Sequence, residues 1–224
     1  MHIKRLIMPK FWANNRKDKA WAIVPSPGPH KKFGGMPLGI LLRDLLKLCS
    51  NTKEVKKVLN DNLVKVDGRI RKNKNYGVGL MDAVQIGDVC YRVVPNRTGF
   101  EMIEIPAKEA GLKLVKVMKK VMVGKKIQVN LHDGKNILSN DKKIQVGDSL
   151  LLSLPDLKIQ KHLPLKKDVD VMIILGRHSG VIAKYKDRKR LAFNPDAAIL
   201  EKGKESFETK LDYLMVVGEV KVSK

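Results

Sequence analysis

The sequence predicts an α+β, multidomain protein: a small helix-pair and hairpin domain followed by two small β-rich, barrel-like domains. Three patterns carry that prediction. Apolar residues recur at three- and four-residue spacing from Leu38 to Cys49, as on a helix face. Asp67-Gly68 interrupts an apolar strand in the manner of a two-residue hairpin turn. Beyond Val84, short Val/Ile/Leu runs alternate with Gly-Asp, Asp-Gly and Gly-Lys turns at the spacing of small sheets and barrels. At 224 residues the chain is long enough for two to three small domains. The expected division is 1–36, a basic arm; 37–95, the helix pair and hairpin; 96–165, a central β domain; and 166–224, a last β-barrel with a short tail.

The arm interleaves Lys4, Arg5, Lys10, Arg16, Lys17 and Lys19 with Phe11, Trp12 and Trp21, and the Pro25–His30 run (PSPGPH) prevents regular structure. Two readings stay open: the cations and indoles order against an anionic surface, or the tryptophans pack under the next domain. Leu38, Leu41, Leu42, Leu45, Leu46 and Cys49 then form the stripe of a first helix. Asn51, with Glu54 three residues on, has the form of a capping box for a second. That second helix is expected to bury Val55, Val58 and Leu59 and to present Lys53, Lys56 and Lys57. Leu63, Val64 and Val66 make the strand before the Asp67-Gly68 turn, and Arg69, Arg71, Lys72 and Lys74 follow it. Alternation along that strand puts Arg69 and Arg71 on one face and Lys72 and Lys74 on the other.

In the β-rich remainder, Val84–Asp88 (VQIGD) and Ile144–Asp148 (IQVGD) are near-copies, each expected to be a strand ending in a turn. Pro106–Leu114 is expected to be a short helical element, His132-Asp133-Gly134 a hairpin, and Pro155–Lys167 a polar connector. The last β unit opens at Val169–Leu175 and closes near Leu214–Val222.

Charge narrows the function. The chain has 45 Lys and Arg against 23 Asp and Glu, a net of +22, and such an excess recruits an anionic partner. It is uneven: residues 1–79 hold 18 cations and 5 carboxylates, a net of +13 on about a third of the chain. The hairpin, backed by an apolar strand, suits a polyanion, RNA first. Arg177, Lys184, Lys186, Arg188, Lys189 and Arg190 offer a second basic patch, with His178 as a turn residue beside it. Aromatics at 5% argue against stacking as the main binding mode.

Other chemistries find no support. Cys49 and Cys90 form no CxxC pair, and the five histidines (2, 30, 132, 162 and 178) do not pair at metal-ligand spacing, so no metal or cofactor is expected. No phosphate-binding loop or dinucleotide fingerprint occurs, and Gly77-Val-Gly79 falls in the hairpin region. Asp44 and Asp187 are the only aspartates beside an arginine that could suggest base-modifying catalysis, and neither sits in a cleft-sized domain. No catalytic residue, small-molecule substrate, secretory leader or membrane span is expected. Two buried thiols fit a reducing, cytoplasmic compartment.

The segment VKVDGRIRKNKNYGVGLMD resembles the RNA-binding domain shared by bacterial-type small-subunit protein four, some RNA-modifying enzymes and some heat-shock proteins. The wider order is more specific: Gly28-Pro-His-Lys31, Pro37-Leu38 opening an LLRD helix, the VDGRIR hairpin, Met81-Asp82, a central β region, then Gly176–Ile182 (GRHSGVI). That order, over essentially the whole chain, is similar to the archaeal and eukaryotic ribosomal protein family usually written S-four-e, whose last unit is a KOW-type barrel. The resemblance implies a structural constituent of the small ribosomal subunit, in the cytoplasm, with small-subunit rRNA and neighbouring ribosomal proteins as partners. It also implies rRNA contacts at His30, Lys31 and Lys32 on the arm and at Arg43, Lys65, Arg69, Arg71, Lys72 and Lys74. Lys10, Trp12, Arg16, Lys17, Lys19, Lys53, Lys56, Lys57, Arg177, His178, Arg188, Lys189 and Arg190 complete the expected RNA-facing set. Gly180 is expected to permit a tight turn beside nucleic acid. The sequence departs from the family pattern at Gly77, where a proline near the tyrosine is usual, and at Leu175, where a second glycine is usual; the tail is short. The competing reading is a non-ribosomal RNA-binding factor or RNA-modifying enzyme carrying the same domain.

Overall fold

The leucine stripe that begins at Leu38 is buried, but its backbone is not a regular helix. A single α turn over Leu38–Ile40 opens into a wide π turn over Leu41–Leu45, where the Leu46 N–H donates to the Leu41 carbonyl at 2.9 Å. Lys47 then takes a left-handed conformation (φ 54°), which ends the element, so Cys49 is buried on a loop and not on the helix. The wide turn explains why Leu38, Ile40, Leu41 and Leu42 are all fully buried, a crowding that ordinary helical spacing does not give. The second helix, Thr52–Asn60, starts with a variant of the capping box in which Glu54 reaches back one residue beyond the N-cap. The Asn51 side-chain oxygen accepts from the Lys53 and Glu54 N–H groups (2.8 and 3.0 Å), and the Glu54 carboxylate accepts from Ser50 N–H (2.7 Å).

This computed structural model describes residues 2–12, 14–32, 34–190, 195–203 and 205–218. The chain divides into two compact units, Met1–Val94 with Thr98–Lys113, and Pro95–Arg97 with Leu114–Lys224. In the first, one five-stranded sheet runs in the order Arg69–Ile70, Val64–Val66, Ala83–Ile86, Val89–Asn96, Gly99–Ile105. The alternate residues Val64 and Val66 point into the core formed with Leu38, Leu41, Leu42, Val55 and Leu59.

The arm belongs to that core. His2–Lys4 pairs with Trp21–Ile23, Gly35–Pro37 pairs with Gly77–Gly79, and Ile3, Met8, Trp12, Ala22 and Val24 join the same apolar cluster. Packing into the core holds for Trp12, which is 4% exposed, and not for Trp21, which is 53% exposed.

The second unit holds two five-stranded sheets, each over its own core. One is ordered Asn136–Ser139, Lys126–Leu131, Leu112–Val123, Ser149–Ser153, Lys158–Leu163, the long Leu112–Val123 strand beginning in the first unit; the other is ordered Glu205–Lys210, Ala197–Lys202, Ile182–Lys189, Asp170–Ile173, Leu214–Val216. The Ser149 hydroxyl accepts from Val216 N–H (2.9 Å), and the Lys116 ammonium donates to the carbonyls of Leu211 and Asp212 (3.5 and 2.7 Å). The expected hairpin at His132-Asp133-Gly134 joins Lys126–Leu131 to Asn136–Ser139.

Three local expectations need correction. Ile144–Asp148 is a turn and not a strand, because the buried Asp148 carboxylate gathers Gln145 N–H (2.9 Å), Leu165 N–H (3.0 Å) and His162 Nε2 (2.7 Å) around itself. The expected connector at Pro155–Lys167 contains the strand Lys158–Leu163, paired with Ser149–Ser153. Pro106–Leu114 is helical only over Ala107–Ala110. The closing stretch past Gly218 lies outside the described residues.

Candidate nucleic-acid interface

The hairpin that carries Arg69 is held from behind by a buried ionic cluster. Asp67 (φ 51°) and Gly68 (φ 75°) both adopt the left-handed conformation of a type I′ turn, which explains the Asp-Gly sequence. The Asp67 carboxylate accepts from Ala83 N–H (3.2 Å) and from the Lys113 ammonium (2.7 Å). Lys113 is fully buried and also donates to Asp82 (2.5 Å). The other Asp82 oxygen meets His30 Nε2 (2.7 Å) and Gly79 N–H (2.9 Å). Burial alone would push the Asp82 carboxyl up, but the charges of Lys113 and His30, with their hydrogen bonds, hold it well below the usual carboxylate range. The His30 ring lies flat on Gly79, where a Cβ would come within 2.4 Å of the ring. That close approach accounts for glycine at position 79, and Gly77–Gly79 is a strand paired with Gly35–Pro37.

These contacts tie the arm, the hairpin turn and the strand Ala83–Ile86 to one point. Around it, Asn75 anchors the proline-rich run: its carbonyl accepts from Ser26 N–H (2.7 Å) and its side-chain amide donates to Val24 (2.8 Å).

The expected RNA-facing residues divide three ways. Lys10, Lys17, Lys19, Lys31, Lys32, Lys53, Lys56, Lys57, Arg69, Lys72, Arg177, His178 and Arg190 are exposed, and Lys65 and Lys74 are half-buried. His178 stacks on Phe207 with ring centroids 4.6 Å apart. A second group is braced from within. Arg16 donates to the Met8 carbonyl (2.7 Å). Arg43 makes a two-pronged ion pair with Asp44 (both 2.8 Å) and reaches Thr52 Oγ1 (3.3 Å), so it links the two helical elements; the hydrogen bonds it donates to Asp44 raise its pKa. Arg71 lies over the Tyr76 ring, 4.3 Å from its centroid. Its strand ends at Ile70, so the expected alternation of Arg69 and Arg71 against Lys72 and Lys74 does not form.

The third group needs correction. Trp12 and His30 are interior residues: the Trp12 indole N–H donates to the Gly35 carbonyl (3.0 Å), and His30 is spent on Asp82. Arg188 and Lys189 are exposed but engaged, Arg188 with Asp196 and Lys189 with Glu208 (2.9 Å). Gly180 (φ 83°) is required by packing inside its own unit, since a Cβ there would sit 2.5 Å from the Pro95 carbonyl. Sequence reasoning missed Lys113, Asp67 and Asp82 as a cluster. The available signal was two aspartates at turn positions inside otherwise apolar stretches, with a lysine in an apolar strand.

Two family models match the chain: the ribosomal family S4e over residues 88–159 and the RS4NT domain over residues 1–33. The small ribosomal subunit protein eS4 of Methanothermobacter thermautotrophicus is 40% identical over 225 residues, spanning 97% of this chain and 92% of the relative. The chain belongs to the S4e family of ribosomal proteins. The eS4 protein of Methanocaldococcus jannaschii is 36% identical over 230 residues, covering 97% of this chain and 94% of that protein. The crystal structure of 30S ribosomal protein S4e from Thermoplasma acidophilum matches with a TM-score of 0.73 at 31% identity, over 83% of this chain and 95% of that one. As an S4e protein the chain is a structural ribosomal protein of the small subunit and not an enzyme. Its α+β multidomain architecture is the S4e fold. Among the described residues, no helix is long and apolar enough to cross a membrane.

Proposed function

We propose that this S4e protein binds small-subunit rRNA through the exposed cations of its first unit, with the hairpin as the anchoring element, and that it does so on the cytoplasmic ribosome beside neighbouring small-subunit proteins. One observation carries the reading. The exposed cations Lys53, Lys56, Lys57, Arg69 and Lys72 have no carboxylate within ion-pair distance among the described residues, whereas Asp67 and Asp82 of the same unit are withdrawn into the interior on Lys113. A surface whose cations lack carboxylate partners is left locally electropositive, and phosphates supply the missing charge with release of counterions. Such contacts fix position and orientation on folded RNA by shape and backbone. The four-part division at residues 36, 95 and 165 remains the proposed organisation, with the arm and the hairpin domain, packed on one core, engaging together and Arg177, Lys184 and Arg190 extending the contact to the last barrel.

The test has two arms. Filter binding of the purified protein to a small-subunit rRNA transcript across a salt series should give log affinity falling steeply with log salt, by roughly 0.7–0.9 unit per phosphate contacted. Gradient sedimentation of a lysate should show the protein co-migrating with the small subunit at moderate salt. Free protein at the top of the gradient together with salt-independent binding would overturn the proposal.

A further inference from the structure

Two of the most exposed apolar side chains of the first unit, Leu6 and Trp21, line a groove that the reading above does not use. The strands His2–Lys4 and Trp21–Ile23 form a two-stranded ribbon in which Ile3 faces Ala22 on the buried side and Lys4 faces Trp21 on the outer side. Trp21 is 53% exposed, with the His2 ring set edge-on at 4.6 Å, and Leu6 and Ile7 are 71% and 61% exposed. A groove of about 320 Å³ opens here, lined by Lys4, Leu6, Arg16, Lys17, Lys19 and Trp21. Its walls are braced: the buried Arg5 guanidinium donates to the Asn15 carbonyl (2.6 Å) and the Trp21 carbonyl (3.3 Å), and Arg16 is tied to Met8. The nearby carboxylate Asp18 is turned toward Arg5, 3.8 Å away, and so leaves the lysines unneutralised.

An apolar patch of this kind marks a binding site more often than chance exposure. Its chemistry is mixed in a specific way: one aromatic face, an aliphatic edge, and a rim of cations. A folded protein partner would need apolar surface framed by carboxylates, whereas an unpaired nucleotide offers a flat base for the indole and a phosphate for each neighbouring cation. We infer that the Trp21 groove holds a single unpaired RNA base, stacked on the indole, with its flanking phosphates on Lys4, Lys17 and Lys19. The inference rests on the rRNA-binding reading and assigns the arm a base-contacting role distinct from the phosphate contacts of the hairpin.

The experiment uses the full chain and a short single-stranded RNA of mixed sequence at low salt, read by affinity and by tryptophan emission. Trp12 is buried, so the response to a bound base comes from Trp21. The expected result is quenching on binding. Trp21→Ala should lose roughly 5- to 150-fold in affinity, the range of one base–aromatic stack, while the slope of log affinity against log salt stays unchanged. Trp21→Phe should keep most of the affinity, and Lys17→Ala with Lys19→Ala should flatten the slope. An RNA of the same length with abasic positions should bind like the wild-type RNA binds Trp21→Ala. If instead RNA binds wild type and Trp21→Ala equally and without quenching, the base site is wrong and the hairpin reading stands. Equal quenching by an acidic peptide assigns the groove to a protein partner and overturns the inference. No RNA binding by any variant at low salt overturns both readings. Circular dichroism of Trp21→Phe and Trp21→Ala checks that loss of affinity is not loss of fold.

Discussion

The two units of this protein differ in how their surface cations are paired. In the first, Asp67 and Asp82 are buried on Lys113, while Lys53, Lys56, Lys57, Arg69 and Lys72 stay on the surface. The second buries Asp133 and Asp148 as well, but sets its surface acids among the bases: Asp187 on Lys167, Asp168 and Glu201 on Lys186, Asp196 on Arg188, Glu208 on Lys189. The first arrangement spends anions on internal structure and leaves an electropositive exterior. The second neutralises its exterior locally. Net charge per residue therefore understates the difference, because a paired surface cation is a weaker attractor of phosphate than an unpaired one.

Removing Lys113 is the most direct way to break the first arrangement. Lys113→Met takes the ammonium from two buried carboxylates, Asp82 keeping His30 and Gly79 N–H and Asp67 keeping Ala83 N–H, and breaking a buried pair from one side costs about 3–5 kcal/mol. Denaturant unfolding should show the first unit melting early while the second keeps its transition; a loss below about 1 kcal/mol would mean that the cluster is hydrated and not structural. Acid does the same more gently. Since the folded-state pKa of Asp82 lies below its unfolded value, the stability it contributes is full above about pH 4 and is lost as pH falls toward the folded value. Asp82→Asn should flatten that part of the pH profile.

The second unit has a buried cation without a close carboxylate, and it sharpens the contrast. Burial pushes the Lys116 ammonium down to about 8, with the charge of Asp212 opposing the shift, and backbone carbonyls are its hydrogen-bond partners. The slope has the same sign as for Asp82, since both folded-state pKa values are depressed, but here it reports a penalty relieved by deprotonation. The unfolded chain holds this proton up to about pH 10.5, the ordinary value, so between about 8 and 10.5 the unfolded state binds more protons and stability rises with pH. In thermal melts across that window wild type should gain on Lys116→Met as pH rises, whichever is the more stable at pH 7; a difference between the two that stays constant from pH 7 to 10.5 would contradict the assignment.

How much of this was legible depended on whether a residue's neighbours in sequence were also its partners in space. Asn51 and Glu54 cap a helix that they begin, and Asp67-Gly68 makes a turn from its own dihedrals, so local spacing was enough. Trp12 and Trp21 sit in similar basic contexts, yet one is buried because the Gly35 carbonyl waits for its N–H and the other faces Lys4 across a ribbon. Nothing local separates them. Lys113 reads as a solvated charge because its two acids lie 46 and 31 residues away. The near-copies at Val84 and Ile144 diverge for the same reason: Asp148 captures His162 and Leu165, and that capture replaces a strand with a turn. The candidate interface was legible as a set of cations; which of them remain available was decided by distant carboxylates.

Replacing Arg69 and Arg71 by alanine tests availability on the first unit. Affinity for an rRNA transcript should fall and the salt slope should flatten by roughly one unit or more. Arg69 is exposed and its removal should cost within about half a kcal/mol. Arg71→Ala alone should cost slightly more than Arg69→Ala, because it also uncovers the Tyr76 ring. If the double mutant loses its fold, the hairpin arginines are structural and the interface must lie elsewhere.

The smallest effect is also the most discriminating, because it adds binding where the others remove it. Glu208→Gln deletes the partner of Lys189 without removing any cation. An exposed pair of this kind contributes about 0–1 kcal/mol to stability, so the fold should hardly respond. Freed of its carboxylate, Lys189 becomes available to phosphate, and the salt slope for rRNA should steepen by up to about 0.7–0.9 unit if the last barrel touches RNA. An unchanged slope with an intact fold would mean that the paired cations of the second unit face away from the nucleic acid, and that its surface pairing serves solubility rather than restraint of binding.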